Sequence, residues 1–391
     1  MRILEIETVG RGGLIHYAHN LSCALAMRGH EVILVTAAEY ELDARRLAPG
    51  VTLVKSLARF THWSRERLPS AVWTVAKKVE ALADACAVAL AVRRFRPDVV
   101  HLHCTHEIAL AYLMLLRRMG VPVAVTAHVI RAHERNRLED FVRPRIHRAS
   151  PLIIAHSDSD RKRLLEEFGI DRSRVVVLPH GEYGFFGRDG GAADREDARR
   201  SLGLDTGDET ALFFGFIREY KGLDVLLEAW PRVAALRPRA RLVVAGDPVR
   251  LDPARREALR SAAARVGAVH RFGYVPFADV PRYFAAADVL VLPYRHISQS
   301  GVLFVALALG LPVVATRVGA LPEVLRDGET ALLVEPEAPR ALADAVARVL
   351  GDPALRRRLS QGGRRVAAEY SWPAIAERTE AVFAGLAARS T

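Results

Sequence analysis

Two doubly wound α/β domains in one chain are predicted by three observations. Short, fully apolar runs of strand length alternate with helical stretches along nearly the whole sequence, the pattern of parallel strands covered on both faces by crossover helices. A strand-loop-helix-strand unit occurs twice. DVVHLH opens at Asp98 and leads to PVAVT at Pro122, and DVLVLP opens at Asp288 and leads to PVVAT at Pro312, across the same interval. The length of 391 residues exceeds one ordinary core and suits two or three domains of about 150 residues.

The elements follow in order. Arg2–Glu7 is a strand, the RGG at 11–13 a turn, and Leu14–Arg28 a helix closed by Gly29. Strands at His30–Ala37 and Val51–Lys55 come next, then a long helix from about Leu68 to Phe95. A strand at 98–103, a helix at 107–119 and a strand at 121–126 form the first copy of the repeated unit. PLIIAHS (151–157) and RVVVLPHG (174–181) are strands separated by a charged helix beginning near Asp158. GEYGFFGRDGGAADRE then breaks the periodicity with glycine and acid, which suits a connection and places the boundary between about Gly181 and Asp208. The second half carries strands ALFFGFI (211–217), ARLVVAG and RFGYV, the second copy of the unit, and strand ALLVEP (331–336). Helices are expected at 339–350, 353–368 and 373–388, so the domains are assigned to 1–190 and 205–370, with the last helix free to cap either.

Half the residues are hydrophobic and 26% are charged, the balance of a folded chain. A net charge of +11 suits nucleic acid, anionic lipid or a phosphorylated ligand, or reflects an arginine-rich coding style. The basic residues are spread through both halves without a reader module, which argues against nucleic acid. Cys23, Cys86 and Cys104 lie far apart in apolar settings, as reduced core thiols of a cytoplasmic protein would. The N-terminus enters a strand pattern without a signal peptide, and the weakly polar run Gly301–Thr316 falls short of the roughly 20 residues needed to span a bilayer.

Candidate site residues cluster where strands end and helices begin, the ligand-facing edge of such sheets. The loop from His296 to Gly301 precedes an apolar helix, whose N-terminus favours anions. Gly12 and Gly13 occupy a strand-to-helix position where backbone can approach a phosphate, or are a structural turn. Arg218 and Lys221 in GFIREYKG could neutralise a diphosphate, against the alternative of two solvated cations. His128 follows VAVT and could bond a sugar hydroxyl or move a proton, or be structural. His101, His103, Cys104 and His106 look like metal ligands, but on a strand His101 and His103 share a face while Cys104 points away, so no metal site is assigned. Arg59, His62, Trp63, Arg65, Arg67, Trp73, Lys77 and Lys78 gather cations and aromatics that could rest on an anionic membrane, or form a solvated helix face.

The order of these signals is more specific than any one of them. From Gly12-Gly13 and ALAMRGHEV through AHSDSDRKRLL, VVVLPHG, GFIREYKGLDVLLEA, AADVLVLP, GLPVVATRVGALPEVLRDGETALLV and the terminal YSW helix, the chain resembles the retaining family-4 glycosyltransferases of GT-B fold. That resemblance implies two Rossmann-like domains facing a cleft, a nucleotide-sugar donor held mainly by the second, and a hydroxyl acceptor held mainly by the first. It also implies that the final helix crosses back onto the first domain. By the same resemblance Gly12 and Gly13 match the donor-phosphate turn, His128 the active-site histidine, and Arg218 and Lys221 the diphosphate cations. Ser300-Gly301-Val302 matches the phosphate-facing helix start, with Ser298 and Gln299 leading into it.

Two departures stand out. The family's usual pair of glutamates is replaced by Ser298 and Ala306, and the spacing from Arg218 to Lys221 is short. Ala306 offers no ribose hydrogen bond and Ser298 only a neutral one. The expected reaction is retaining glycosyl transfer, with protein cations and amides stabilising the departing diphosphate and no metal or other cofactor needed. A nucleotide-sugar epimerase of the same architecture and a non-catalytic sugar-nucleotide binder are the rival readings.

Overall fold

Runs such as LIIA and VLVL are apolar on both faces, and they form strands because a parallel sheet buried between helix layers presents each strand with two dry surfaces. The computed structural model describes all residues except 11, 43–45, 59–69, 104–107, 131–136, 184–193, 250 and 390–391. By its internal contacts the chain divides into Met1–Gly181 with Ser371–Thr391, and Glu182–Tyr370.

The first unit runs β1 (Arg2–Ile6), α1 (Gly12–Met27), β2 (Glu31–Ala37), β3 (Val51–Leu57), α2 (Ser70–Phe95), β4 (Val99–Leu102), α3 (Ile108–Arg118) and β5 (Val123–Thr126). It continues with α4 (Arg137–Ala149), β6 (Leu152–Ala155), α5 (Asp158–Glu166) and β7 (Val175–Val177). The strands form one parallel sheet in the order β3-β2-β1-β4-β5-β6-β7. In the second unit come α6 (Arg195–Ser201), β8 (Glu209–Phe214), α7 (Leu223–Leu236), β9 (Ala240–Gly246), α8 (Pro253–Arg265), β10 (Val269–Phe272), α9 (Val280–Ala286) and β11 (Val289–Leu292). After these follow α10 (Gly301–Leu309), β12 (Val313–Thr316), α11 (Leu321–Val324), β13 (Leu332–Val334), α12 (Pro339–Gly351) and α13 (Pro353–Glu369). Its parallel sheet has the order β10-β9-β8-β11-β12-β13, the first sheet's order without the seventh strand. Helix α14 (Trp372–Ala388) belongs to the first unit, where Ile375, Ala376, Phe383 and Leu386 join the core that includes Leu21 and Leu25 of α1. The indole of Trp372 lies against Gly181, where a Cβ would stand 2.5 Å from the ring.

The internal echo maps onto equivalent strands, and the structure gives its reason. The Asp98 carboxylate accepts from the Arg2 amide at 2.7 Å while the Asp98 amide donates to the Arg2 carbonyl at 2.8 Å. In the second sheet Asp288 makes the same double link to Thr210, at 2.8 and 2.7 Å. Pro122 and Pro312 each offer the carbonyl that receives the amide of Val100 or Leu290. Thus the aspartate fixes the fourth strand against the first, and the proline residue starts the fifth in register.

Several sequence expectations are corrected. Gly12 and Gly13 are the first residues of α1 and not a turn before it; the first helical turn needs no intrahelical amide bonds, so glycine is tolerated there. Strand β10 lies at Val269–Phe272, earlier than RFGYV. Helices α4, α6 and α8 arise in charged, arginine-rich stretches and α9 in the short segment VPRYFAA, and α6 lies inside the interval read as a connection. It is held there by Arg195 and Arg199, which bond Asp288 at 2.6 and 2.8 Å. Cys86 is exposed on α2 and Cys23 is half-buried, so neither is a core thiol; the alanine-rich α2 gives no clear period from which to read its inner face. Cys104 lies outside the described residues.

The two aspartates should differ in weight. Asp288→Ala removes a strand clamp and leaves the buried Arg199 guanidinium without its carboxylate, so urea unfolding should show a loss of about 3–5 kcal/mol. Asp98→Ala loses one exposed backbone bond and should cost about 1 kcal/mol.

Candidate active site

In the second unit, three loops meet at the carboxyl edge of the sheet because glycine lets main chain touch main chain. Gly222 has φ +65°, and a Cβ there would stand 2.0 Å from the Pro293 carbonyl oxygen. At Gly246, φ +155°, a Cβ would stand 1.9 Å from the Gly215 carbonyl oxygen. The Arg295 amide donates to the Tyr220 carbonyl at 2.7 Å, tying the loop after β11 to the loop after β8.

Arg218 and Lys221 sit in the loop after β8. Lys221 is buried, with Nζ 5.5 Å from the centre of the Tyr294 ring. Burial first, and the neighbouring Arg218 charge second, push its ammonium down to about 8. Among the described residues neither side chain has an ion pair or a hydrogen bond. The nearby cations are matched: Arg255 bonds Glu219 and Asp224 at 2.7 and 2.8 Å, and Arg295 bonds Asp224 at 2.9 Å and also pairs with Glu337. Two adjacent cations without an anion, one of them desolvated, make a site that gains from binding a multiply charged anion.

Helix α10 completes this arrangement. Ser300 is its N-cap, its hydroxyl accepting from the Leu303 amide at 3.3 Å and lying 3.3 Å from the Tyr294 hydroxyl. Lys221 Nζ and Val302 Cγ2 both lie 3.1 Å from the point where a Gly215 Cβ would be, so the ammonium and the start of α10 converge. Gly301 faces the Tyr183 hydroxyl, 3.0 Å from where its own Cβ would be. Ser298 is buried and Gln299 half-buried in the approach to the helix. Ala306 is fully buried in the core of this unit, so its departure from the family pattern falls on a packed position.

In the first unit, histidines gather at the carboxyl edge of four adjacent strands. His103 follows β4, His128 follows β5, His156 follows β6 and His180 follows β7, and their rings surround Tyr17 of α1 at 4.9–5.4 Å. His128 faces a histidine through each nitrogen, Nδ1 with His156 Nε2 at 3.1 Å and Nε2 with His103 Nδ1 at 3.3 Å. His103 Nε2 reaches Glu5 Oε2 at 2.5 Å, and His101 Nδ1 lies 2.8 Å from the same oxygen. Burial would raise the Glu5 carboxyl, but the two histidines outweigh it and hold it at about 2. Burial lowers His103 and His180 to about 4 and His156 to about 3, and takes His128 well below its usual value. Glu5, Tyr17, His156 and His180 were not singled out from the sequence. The signal was present in the strand endings VVHLH, VAVTAH, LIIAH and VVVLPH, each closing on histidine.

Glu5, His101 and His103 are also spaced closely enough to face a metal ion. His103 Nε2 and Glu5 Oε2 share a proton at 2.5 Å, and His101 Nδ1 lies 2.8 Å from the same oxygen; both separations are shorter than the about 3.3 Å between ligands of a tetrahedral zinc. His106 lies outside the described residues. So do Arg59, His62, Trp63, Arg65 and Arg67 of the basic face; of the remainder, Trp73 is half-buried with Lys77 Nζ 5.2 Å from its ring centre, and Lys78 is exposed. Among the described residues no helix is long and apolar enough to cross a membrane.

Residues 11–181 match the family described as Glycosyltransferase Family 4, and residues 208–352 match Glycosyl transferases group 1. A D-inositol 3-phosphate glycosyltransferase of Segniliparus rotundus is 30% identical over 94% of this chain and 83% of its own. One from Frankia alni is 32% identical over 93% and 92%. Among solved structures, sucrose-phosphate synthase from Thermosynechococcus elongatus is similar with TM-score 0.78 and 24% identity over the whole of both chains. Anabaena HepE in complex with UDP is similar with TM-score 0.73 and 18% identity over 98% of this chain and 100% of that one. The relatives are transferases and not epimerases, and with two parallel sheets of the GT-B type beneath both matched segments, the chain belongs to the family-4 glycosyltransferases.

Proposed function

We propose that this glycosyltransferase moves a sugar from a nucleoside-diphosphate donor to a hydroxyl of a sugar or polyol acceptor, with the anomeric configuration retained. The observation that carries the reading is the unpaired Arg218–Lys221 couple converging with the start of α10. The bond from anomeric carbon to phosphate oxygen breaks, the acceptor oxygen bonds to that carbon on the same face, and the acceptor proton passes to the departing phosphate. Arg218, Lys221 and the amides at Ser300–Val302 stabilise the charge that grows on the diphosphate, with Ser298 and Gln299 flanking the donor. Protein cations do the work of a metal here, so activity should persist after chelation. His128 is the proposed acid–base or hydroxyl-bonding group of the first domain; one of its contacts, with His103 or His156, has to open before it bonds a sugar.

We also propose that the Arg59–Lys78 segment contacts an anionic membrane. Helix α2 turns Val72, Val75, Val79 and Leu82 outward beside exposed Lys77 and Lys78, an apolar strip flanked by cations.

Three outcomes test these readings. Arg218→Ala and Lys221→Ala should each lower kcat/KM by about 100-fold with the best donor from a UDP-, GDP-, ADP- and TDP-sugar panel ranked by thermal shift. A panel in which no donor binds or turns over would sink the transferase mechanism. Donor affinity, measured by titration calorimetry, should be highest below pH 8 and weaken above it. The diphosphate favours the charged ammonium, and the free enzyme loses that charge as pH rises through about 8. Lys221→Arg should remove this dependence. Finally, the protein should sediment with vesicles containing anionic lipid and be released by salt; equal binding to neutral vesicles would argue against the membrane contact.

A further inference from the structure

The histidine line in the first unit has acceptors at both ends. Leu178 carbonyl oxygen faces His156 Nδ1 at 3.0 Å, His156 Nε2 faces His128 Nδ1 at 3.1 Å, His128 Nε2 faces His103 Nδ1 at 3.3 Å, and His103 Nε2 faces Glu5 Oε2 at 2.5 Å. Four contacts need four protons, and three neutral imidazoles carry three. A carbonyl only accepts, so His156 holds its proton on Nδ1 and offers a lone pair at Nε2. The carboxylate contact is the shortest, so His103 holds its proton on Nε2 and offers a lone pair at Nδ1. His128 therefore stands between two lone pairs with one proton. It donates across the 3.1 Å contact, and the 3.3 Å contact to His103 is left without a hydrogen.

We propose that Glu5, His103 and His156 are positioning residues that fix His128 as its Nδ1–H tautomer and make it a seat for one further proton, which fills the His128–His103 contact. The proton comes from solvent and turns His128 into an imidazolium whose two N–H groups both have acceptors. The ionised Glu5 balances the charge through His103. Burial and the facing His180 and His101 oppose that charge, so the uptake falls well below the usual imidazole range. His101 lies against Glu5 Oε2 and places Nε2 2.6 Å from the Thr126 hydroxyl; Tyr17, its hydroxyl held above the usual range by burial, packs against four of the rings. His180 bonds the Gly181 carbonyl at 2.8 Å, while Trp372 and Phe383 of α14 supply apolar walls. The proposal deepens the assignment of His128 under Proposed function, yet its geometry belongs to the first unit alone.

Nitrogen-15 NMR of histidine-labelled protein reads each tautomer directly and uses no donor, so its failure is separate from failure of the transfer reading. At pH 7, His128 and His156 should carry hydrogen on Nδ1 and His103 on Nε2. On acidification well below the usual imidazole range the three rings should take up one proton, seated in the His128–His103 contact. In Glu5→Gln the amide can donate to His103 Nε2, which should flip His103 to Nδ1–H, fill the vacant contact and abolish that proton uptake. Hydrogen on Nε2 of neutral His128 in the wild type, an unchanged His103 tautomer in Glu5→Gln, or one equivalent of metal in the purified protein would each overturn the proposal. Should Glu5→Gln not fold, the wild-type spectrum decides the tautomers by itself.

Discussion

The pairing of the first strand with the fourth is the interaction on which both domains depend. In a doubly wound sheet, strands one and four are neighbours although a large part of the domain separates them in sequence, and the loops leaving them turn to opposite faces. Their pairing closes the longest loop in each sheet and gains nothing from proximity in the chain. Asp98 and Asp288 supply a two-bond link at that seam. Every candidate site residue stands at the carboxyl edge that this pairing aligns.

The two carboxyl edges solve opposite electrostatic problems. In the second domain the Lys221 and Arg218 side chains have no ion pair or hydrogen bond among the described residues, an arrangement that suits an anion. The first domain has buried histidines that burial keeps neutral, around one carboxylate held ionised. Low local dielectric strengthens both arrangements, because a buried charge or lone pair without a partner is costly. Consequently the second domain's edge suits a ligand of fixed charge, and the first domain's edge holds neutral rings around one carboxylate.

Much of the fold was legible because buried parallel strands are short apolar runs that stand out whatever surrounds them. VVHL, VAVT, LIIA, VLVL and VVAT were each found within a residue or two of their ends. The helices that escaped notice, such as Arg137–Ala149 with Pro144 inside it and Pro253–Arg265, are rich in arginine; their faces are set by partners elsewhere in the chain. Arg218 and Lys221 could be named from their place after a strand, but their lack of partners is a property of packing and not of spacing. The histidine line escaped for the same reason. Each strand ends on an unremarkable His, and only the sheet order brings His103, His128, His156 and Glu5 into one row.

The return of the last helix has a consequence for how the molecule is made. Trp372, Ile375 and Phe383 complete the core that Met1–Gly181 begins, while Glu182–Tyr370 is continuous in sequence. As the chain leaves the ribosome, the second domain can close over its own core before α14 emerges, whereas the first waits with an uncovered apolar face until that helix is made. The domain begun first is thus completed after the second, and a truncation within α14 acts on the core that β1 and α1 begin.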